Sequence, residues 1–143
     1  MKHLKFIFMA LTIFSCFSFS LEQGDLRVVI NGLRNDKGTV YMTVYNDATF
    51  FPRQTEKALT ASIISAEQSE TIFISLPFGE YAVSVFHDEN NNGRIDTGFF
   101  GIPREGVGAS NNKMGIGPPS FMDAVFLFEE KQKTITIDMR YLL

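Results

Sequence analysis

The sequence predicts an all-β protein: an antiparallel, seven-stranded β-sandwich carrying one long glycine-rich loop. Three observations predict it. Residues 39–45 (TVYMTVY) and 134–141 (TITIDMRY) keep a strict period of two and are rich in β-branched and aromatic residues. Clusters of Gly, Pro, Asn and Asp separate such runs along the chain. After the first twenty residues, no stretch holds a helical period over an ordinary helix length.

Residues 1–20 read as a secretory signal peptide. Lys2, His3 and Lys5 make a basic start, and residues 6–14 (FIFMALTIF) are apolar but too few to span a bilayer. Ser18, Phe19 and Ser20 then offer small residues around a cut after Ser20. Cys16 follows the apolar run, where a lipoprotein would carry its anchor. Phe14 stands where a small or β-branched residue is usual, which disfavours lipidation. The folded part is then one domain, residues 21–143, in the periplasm or outside the cell. Losing Lys2 and Lys5 takes the formal charge from −3 to −5, and losing Cys16 leaves no cysteine for a disulfide. A domain of about 120 residues can bury a sufficient core without one. The acidic balance, with Lys and Arg scattered, argues against nucleic acid as a partner. No further apolar run reaches transmembrane length, so the mature chain has no transmembrane segment.

Residues 26–30 (LRVVI) are the first strand, followed by turn material at Asn31-Gly32 and residues 35–38 (NDKG). The second strand, residues 39–45, turns Val40, Met42 and Val44 one way and Thr39, Tyr41, Thr43 and Tyr45 the other. Residues 46–57 form a loop with an apolar knuckle, Phe50-Phe51-Pro52. Residues 58–65 fit a strand or a helical turn, and the pattern does not decide. Residues 70–76 alternate with Ile72, Ile74 and Leu76 on one face; residues 81–86 follow with Tyr81, Val83 and Val85 inward. Pro77-Phe78-Gly79-Glu80 between them reads as the turn of a hairpin. Residues 124–128 are a short apolar strand and residues 129–133 (EEKQK) a charged turn. The last strand, residues 134–141, puts Ile135, Ile137, Met139 and Tyr141 on one face.

Between the fifth and sixth of these strands lies the long loop, residues 87–120. It holds seven of the eleven glycines and three of the five prolines. A loop of this length in a compact domain signals function or disorder. Phe99, Phe100, Ile102, Val107, Met114 and Ile116 give it apolar groups that can pack, which argues for order.

Its first part is a cluster of side-chain oxygens. Residues 88–96 (DENNNGRID) match the first nine places of the calcium loop D-x-[DN]-x-[DN]-G-x-x-D. Ca²⁺ is a hard cation that takes six to eight oxygens. Asp88, Asn90 and Asn92 at alternate positions can turn oxygens to one point, Gly93 allows the sharp bend, the Arg94 carbonyl follows, and Asp96 binds directly or through water. Ile95 is expected to tuck into the core. The pattern then departs from an EF-hand: Phe99 stands where a bidentate Glu belongs, and a strand, not a helix, leads in. Glu105, Asp123 or a backbone carbonyl would complete the shell. With only two charged ligands the expected affinity is on the order of 10⁻⁴ to 10⁻³ M. The competing structural reading is an Asx-rich turn capped by its own side chains.

His87 is the one histidine after processing and shares the face of Val83 and Val85; it reads as a hydrogen-bonded strand-end residue before it reads as a ligand. Arg104-Glu105 reads first as a salt bridge pinning the loop and second as a site for a polar ligand. Ser110 sits in no G-x-S-x-G frame, so it reads as a loop hydroxyl. Ser110, Asn111 and Asn112 join His87, Arg104 and Glu105 as ligand-contacting or loop-ordering candidates. Phe99, Phe100, Phe121, Phe126 and Phe128 read as lid and core before they read as an aromatic surface.

A longer pattern runs through these residues: Phe86 and Asp88, Asn90 through Gly93, Gly101-Ile102-Pro103-Arg104-Glu105, Gly108-Ala109-Ser110-Asn111-Asn112, and Pro118-Pro119-Ser120-Phe121. It resembles the secreted bacterial family known only as domain of unknown function 2141. Ala109 departs from the aromatic frequent at that place. The resemblance implies a prealbumin-like (transthyretin-like) sandwich outside the cytoplasm, and it brings no activity with it. Two enzyme classes on related sandwiches fail by residue type. Hydroxyisourate hydrolases need several histidines and a Tyr-Arg-Gly-Ser tail, and intradiol dioxygenases need two histidines for iron; this chain offers one histidine after processing and ends Arg140-Tyr141-Leu142-Leu143.

The expected function is a non-enzymatic module whose Ca²⁺-ordered loop presents a surface to an unidentified ligand or protein partner. A hydrolase or lyase using Asp88, His87 or Glu105 as acid or base is the alternative from another class. It requires two such groups to converge on one pocket. A structural accessory domain is the third reading.

Overall fold

The computed structural model describes residues 22–68, 71–115 and 117–143; residues 1–20, for which a signal peptide is expected, and with them Cys16, lie outside the described residues. Eight strands form among them: β1 Gln23–Asn31, β2 Thr39–Tyr45, β3 Thr60–Ser65, β4 Thr71–Pro77, β5 Gly79–Asp88, β6 Gly106–Ala109, β7 Phe126–Phe128 and β8 Gln132–Asp138. One short helix, α1 (Phe121–Ala124), precedes β7. The strands lie in two sheets, a three-stranded one in the order β4-β1-β8 and a five-stranded one in the order β3-β2-β5-β6, with β7 pairing the start of β5.

The alternation read from the sequence is the alternation of burial. Leu26, Val28, Ile30, Ile72, Leu76 and Ile137 face Val40, Met42, Val44, Tyr81, Val83, Val85 and Phe128 in one core cluster between the sheets. A second cluster covers the outer face of the five-stranded sheet. There the Phe50-Phe51 knuckle and α1 sit over Tyr45, Ala82 and Ala109. Phe51 meets Tyr45 and Phe121 edge to face, at centroid distances of 5.4 and 5.9 Å. Of residues 58–65, Thr60–Ser65 form a strand, β3, paired antiparallel to β2.

Three expectations need correction. The sheet is not wholly antiparallel: β1 and β8 pair in parallel, Asp25 opposite Gln132 through Asn31 opposite Asp138. Residues 70–86 do not form a hairpin. β4 pairs with β1 in one sheet while β5 pairs with β2 in the other. One residue, Phe78, makes the crossing. Its ring packs edge to face on Phe128 at 5.8 Å, and its N–H donates to the Glu22 carbonyl. A single residue between strands is too short for a two-residue hairpin turn, so the strands face each other across the core.

The third correction concerns the count. The eighth strand, β6, lies inside the long loop and pairs with β5 from Ser84–Ala109 to His87–Gly106. Its sequence, Gly-Val-Gly-Ala, shows no apolar alternation because the inward positions are vacated. A Cβ on Gly106 would stand 2.5 Å from the Tyr141 ring, and one on Gly108 would stand 2.7 Å from Ile137. The C-terminal chain closes that corner of the sandwich over these two positions, and Val107 and Arg140 exchange backbone bonds of 2.9 and 2.8 Å there.

Candidate functional site

The long loop leaves the sheet at the end of β5, where His87 points into the core and Asp88 to the other face, both fully buried. The His87 ring is held from two sides. Its Nε2 lies 2.6 Å from the Lys37 carbonyl, which can only accept, so Nε2 carries the proton. Nδ1 then accepts from the Tyr141 hydroxyl at 2.7 Å, and that oxygen accepts from the Arg34 N–H at 3.2 Å. Burial pushes the Tyr141 phenol up. His87 is thus the hydrogen-bonded strand-end residue that its position suggested.

Arg34 organises the outside of this corner. Its guanidinium lies over the Tyr141 ring at 4.5 Å. It donates through Nε to both Glu89 carboxylate oxygens (3.0 and 3.1 Å), through Nη2 to Glu89 and to the Arg104 carbonyl (3.0 Å), and through Nη1 to the Leu143 carbonyl (3.3 Å). Asn35 donates to Glu89 as well. The Arg34 guanidinium, more than any other cause, holds the Glu89 carboxyl below its ordinary range. Sequence reasoning missed all three of Arg34, Glu89 and Tyr141. Arg34 lies between the two turn stretches with no pattern of its own, and Glu89 filled an unassigned place of the calcium pattern. Tyr141 shared the inward parity of Ile137 and Met139, and that was its only signal.

The oxygen cluster forms a compact turn. Asp88 accepts the Asn92 N–H at Oδ1 (3.1 Å) and the Gly93 N–H at Oδ2 (2.6 Å). Asn90 Oδ1 accepts from the Asn92 N–H, and Asn92 Oδ1 from the Arg94 N–H, at 3.1 and 3.0 Å. The amide groups of Asn90 and Asn92 converge on the Asp96 carboxylate, at 2.6 Å and at 3.0 Å to each oxygen. Those bonds, from Asn90 first and Asn92 next, keep the Asp96 carboxyl below its usual range. Arg94 is largely in solvent, its Nε 3.9 Å from Asp96. Asp88, Asn90, Asn92 and Asp96 are therefore one group in space, as their spacing predicted. Ile95, expected in the core, is 40% exposed.

Beneath the turn lies Glu105, which is 4% exposed. Its Oε1 accepts the Glu89 N–H at 3.0 Å and its Oε2 the Asp96 N–H at 2.9 Å. One carboxylate thereby clamps both ends of the oxygen-rich turn. Glu105 orders the loop by this means, and not through the expected bridge to Arg104, whose side chain is exposed. Gly38 fits against the same place: at φ +75 it presents no side chain, and a Cβ there would meet the Asp88 carbonyl at 2.0 Å.

Ser110, Asn111 and Asn112 serve the other end of the loop and do not join the Asp88 group. Buried Ser110 accepts the Val83 N–H at 3.0 Å and donates to the Ala124 carbonyl at 2.5 Å. Asn111 donates to the carbonyls of Asp123 and Val125. Asn112 donates to the Thr136 carbonyl at 3.0 Å and accepts the Asp138 N–H at 2.8 Å, so one side-chain amide stands in for a strand along β8. Asp123, a candidate extra metal ligand, bonds instead to Ser120, the residue that caps α1.

Between clamp and clasp, the loop projects a narrow finger. Arg104 N–H donates to the Asp96 carbonyl at 2.9 Å, Thr97 bridges Pro103, and Gly98 N–H donates to the Ile102 carbonyl at 2.8 Å. Phe99, Phe100 and Gly101 make the turn at the end, with Phe100 at φ 62, ψ 17 and Gly101 at φ 72. Phe99 and Phe100 are 86% and 98% exposed. The expectation that all five loop-region phenylalanines are lid and core therefore holds for Phe121, Phe126 and Phe128, which pack on the two clusters, and fails for this pair.

The acid–base candidates His87, Asp88 and Glu105 share a common fate with the hydroxyl of Ser110: all four are buried, and each is bonded to backbone groups. The molecule has an open depression of about 580 Å³ beside Asn31, Asn35 and Glu67, and a second of about 480 Å³ across Arg27, Phe73 and Lys133. Neither is lined by any of the four. Among the described residues no three His, Cys, Asp or Glu side chains form a group that could hold a metal. The side-chain amides of Asn90 and Asn92 lie outside that description. No described helix is long and apolar enough to cross a membrane.

A model of the family described as an uncharacterized protein conserved in bacteria (DUF2141) matches residues 28–136. No curated protein and no solved structure matches the chain.

Proposed function

The chain belongs to the DUF2141 family of bacterial proteins, and from that premise we propose that it is a non-enzymatic binding module of the cell envelope whose long loop is the contact surface. One observation carries this reading. His87, Asp88 and Glu105, the loop's acid–base candidates, are buried and bonded to backbone, while the adjacent Phe99 and Phe100 are 86% and 98% exposed. A general acid or base needs access to a reacting atom; a contact surface needs a rigid support and an exposed apolar anchor. The Glu105 clamp and the Ser110–Asn112 clasp supply the support.

Ca²⁺ is part of the proposal as the ion that stiffens the base of the finger. The donor chemistry fits a hard cation. Asp88 and Asp96 each keep lone pairs beyond those their present bonds use, and Asn90, Asn92 and the Arg94 carbonyl add neutral oxygens. The envelope location rests on residues 1–20 as a signal peptide. The prealbumin-like assignment rests on two packed sheets around one core.

The test is photo-crosslinking in the bacterial host, with p-benzoylphenylalanine placed at position 100 and, as a control, at exposed Glu129. Adducts, to protein or lipid, are expected at position 100 alone. Absence of tip-specific adducts refutes the loop as contact surface. For the ion, millimolar Ca²⁺ is expected to raise the melting temperature over excess chelator and slow amide exchange at residues 90–96; identical curves sink that part.

A further inference from the structure

The finger's shape and charge identify its partner, and we propose that it docks on an anionic lipid bilayer. Phe99 and Phe100 enter the boundary between headgroups and acyl chains, and Arg94 and Arg104 meet the lipid phosphates. This names the partner within the reading of the loop as contact surface and rests on it.

Single exposed apolar residues are ordinary, but a contiguous apolar patch marks a contact site. Here two neighbouring rings stand almost wholly in water, with Ile102 (37%) partly exposed on the same finger and Ile95 (40%) just before its base. Leu143, itself 57% exposed, abuts Gly98 at the finger's neck, where an added Cβ would be 2.7 Å from its Cδ1. The patch is the end of a two-stranded projection closed by the Asp96–Arg104 and Gly98–Ile102 bonds, and neither surface depression includes it. A projecting tip suits a fluid surface that yields around it. A protein partner would have to bring a fitted pocket.

Charge selects among surfaces. The chain is acidic, with a formal charge of −3. Near the finger, however, the carboxylates are turned inward or paired: Asp88 and Glu105 on backbone N–H groups, Asp96 on the Asn90 and Asn92 amides, Glu89 on Arg34. The most exposed charged side chains beside the tip are Arg104 and Arg94, the latter only loosely paired, 3.9 Å from Asp96. A basic collar under an apolar tip complements the negative potential of anionic headgroups. Withdrawing a phenylalanine ring from water is worth roughly tenfold or more in partitioning, and each Arg near such a surface roughly fivefold.

The test is co-sedimentation of the protein with vesicles of phosphatidylcholine alone and of phosphatidylcholine mixed with phosphatidylglycerol. Binding is expected to the mixed vesicles and to weaken with salt. It should fall by roughly a hundredfold in Phe99→Ser/Phe100→Ser, from the same ring contribution taken twice, and by more than tenfold in Arg94→Gln/Arg104→Gln. Both variants should keep the parent melting temperature, since neither pair of side chains is buried. Failure of the parent protein to bind mixed vesicles, or equal binding by the Phe variant, overturns the proposal. So does self-association of the parent that the Phe variant loses in sedimentation equilibrium, which would make the tip a contact between copies. Protein adducts at position 100 without vesicle binding overturn the lipid assignment and leave the contact-surface reading standing; neither adducts nor vesicle binding overturns both.

Discussion

Replacing Glu105 by Gln tests whether the finger stands on a clamp. The change keeps the shape of a side chain that is 4% exposed. It exchanges one acceptor oxygen for an NH₂ group facing an N–H donor, either that of Glu89 or that of Asp96. A hydrogen bond to a charged acceptor contributes about 1.5–3 kcal/mol, and a buried donor left unpaired costs about 1–3 kcal/mol. Part of the second cost is relieved if the loop opens to water, so the expected loss is about 2–4 kcal/mol. In a domain of this size that lowers the melting temperature by roughly 10 °C. Thermal melts give the total. Amide exchange gives the location, because the Glu89 and Asp96 N–H groups should lose protection ahead of the core amides of β2 and β5. Arg104→Ala is the control: its side chain is exposed and its role is through the backbone, so it should stay within about 0.5 kcal/mol of the parent. A Glu105→Gln protein as stable as the parent would refute the clamp, and an Arg104→Ala protein as damaged as Glu105→Gln would restore the Arg104–Glu105 salt bridge in its place.

Gly38→Ala should destabilise by more than about 3 kcal/mol, because it combines a left-handed backbone with a Cβ 2.0 Å from the Asp88 carbonyl; a soluble, cooperatively folding Ala variant within about 1 kcal/mol in urea denaturation would contradict the packing. The third prediction concerns acid. Glu89 has a folded-state carboxyl held below its ordinary range by the Arg34 hydrogen bonds. Its contribution is therefore complete above the unfolded pKa, about 4.3, and is lost as pH falls through the lower folded value. Glu89→Gln should flatten the fall in melting temperature below pH 4.5 (about the unfolded pKa), while an unchanged acid limb would show that the pair adds nothing.

The sequence by itself determined the strands that carry a side-chain period. β2, β4, β5 and β8 each turn β-branched and aromatic groups to one face, and the local code needs nothing else. It also determined the Asp88–Asp96 turn, since Asp and Asn bond to backbone N–H groups a few residues on. The family's long motif was legible too, but its meaning was not. Tertiary structure decided which sheet each strand joined. The alternation of residues 70–86 is the same whether the two strands pair or face each other, and only the partners available to β4 and β5 settle it. It decided β6, whose inward positions are glycines because Tyr141 and Ile137 occupy the space from another part of the chain. It decided that Glu105 clamps backbone, that Arg34 and Tyr141 from opposite ends of the domain meet over Glu89 and His87, and that Phe99 and Phe100 point to water. Period and spacing report on neighbours along the chain. The Glu105 clamp reaches back 16 and 9 residues, and the contacts of Tyr141 with Arg34 and His87 span 107 and 54, and no local pattern encodes them.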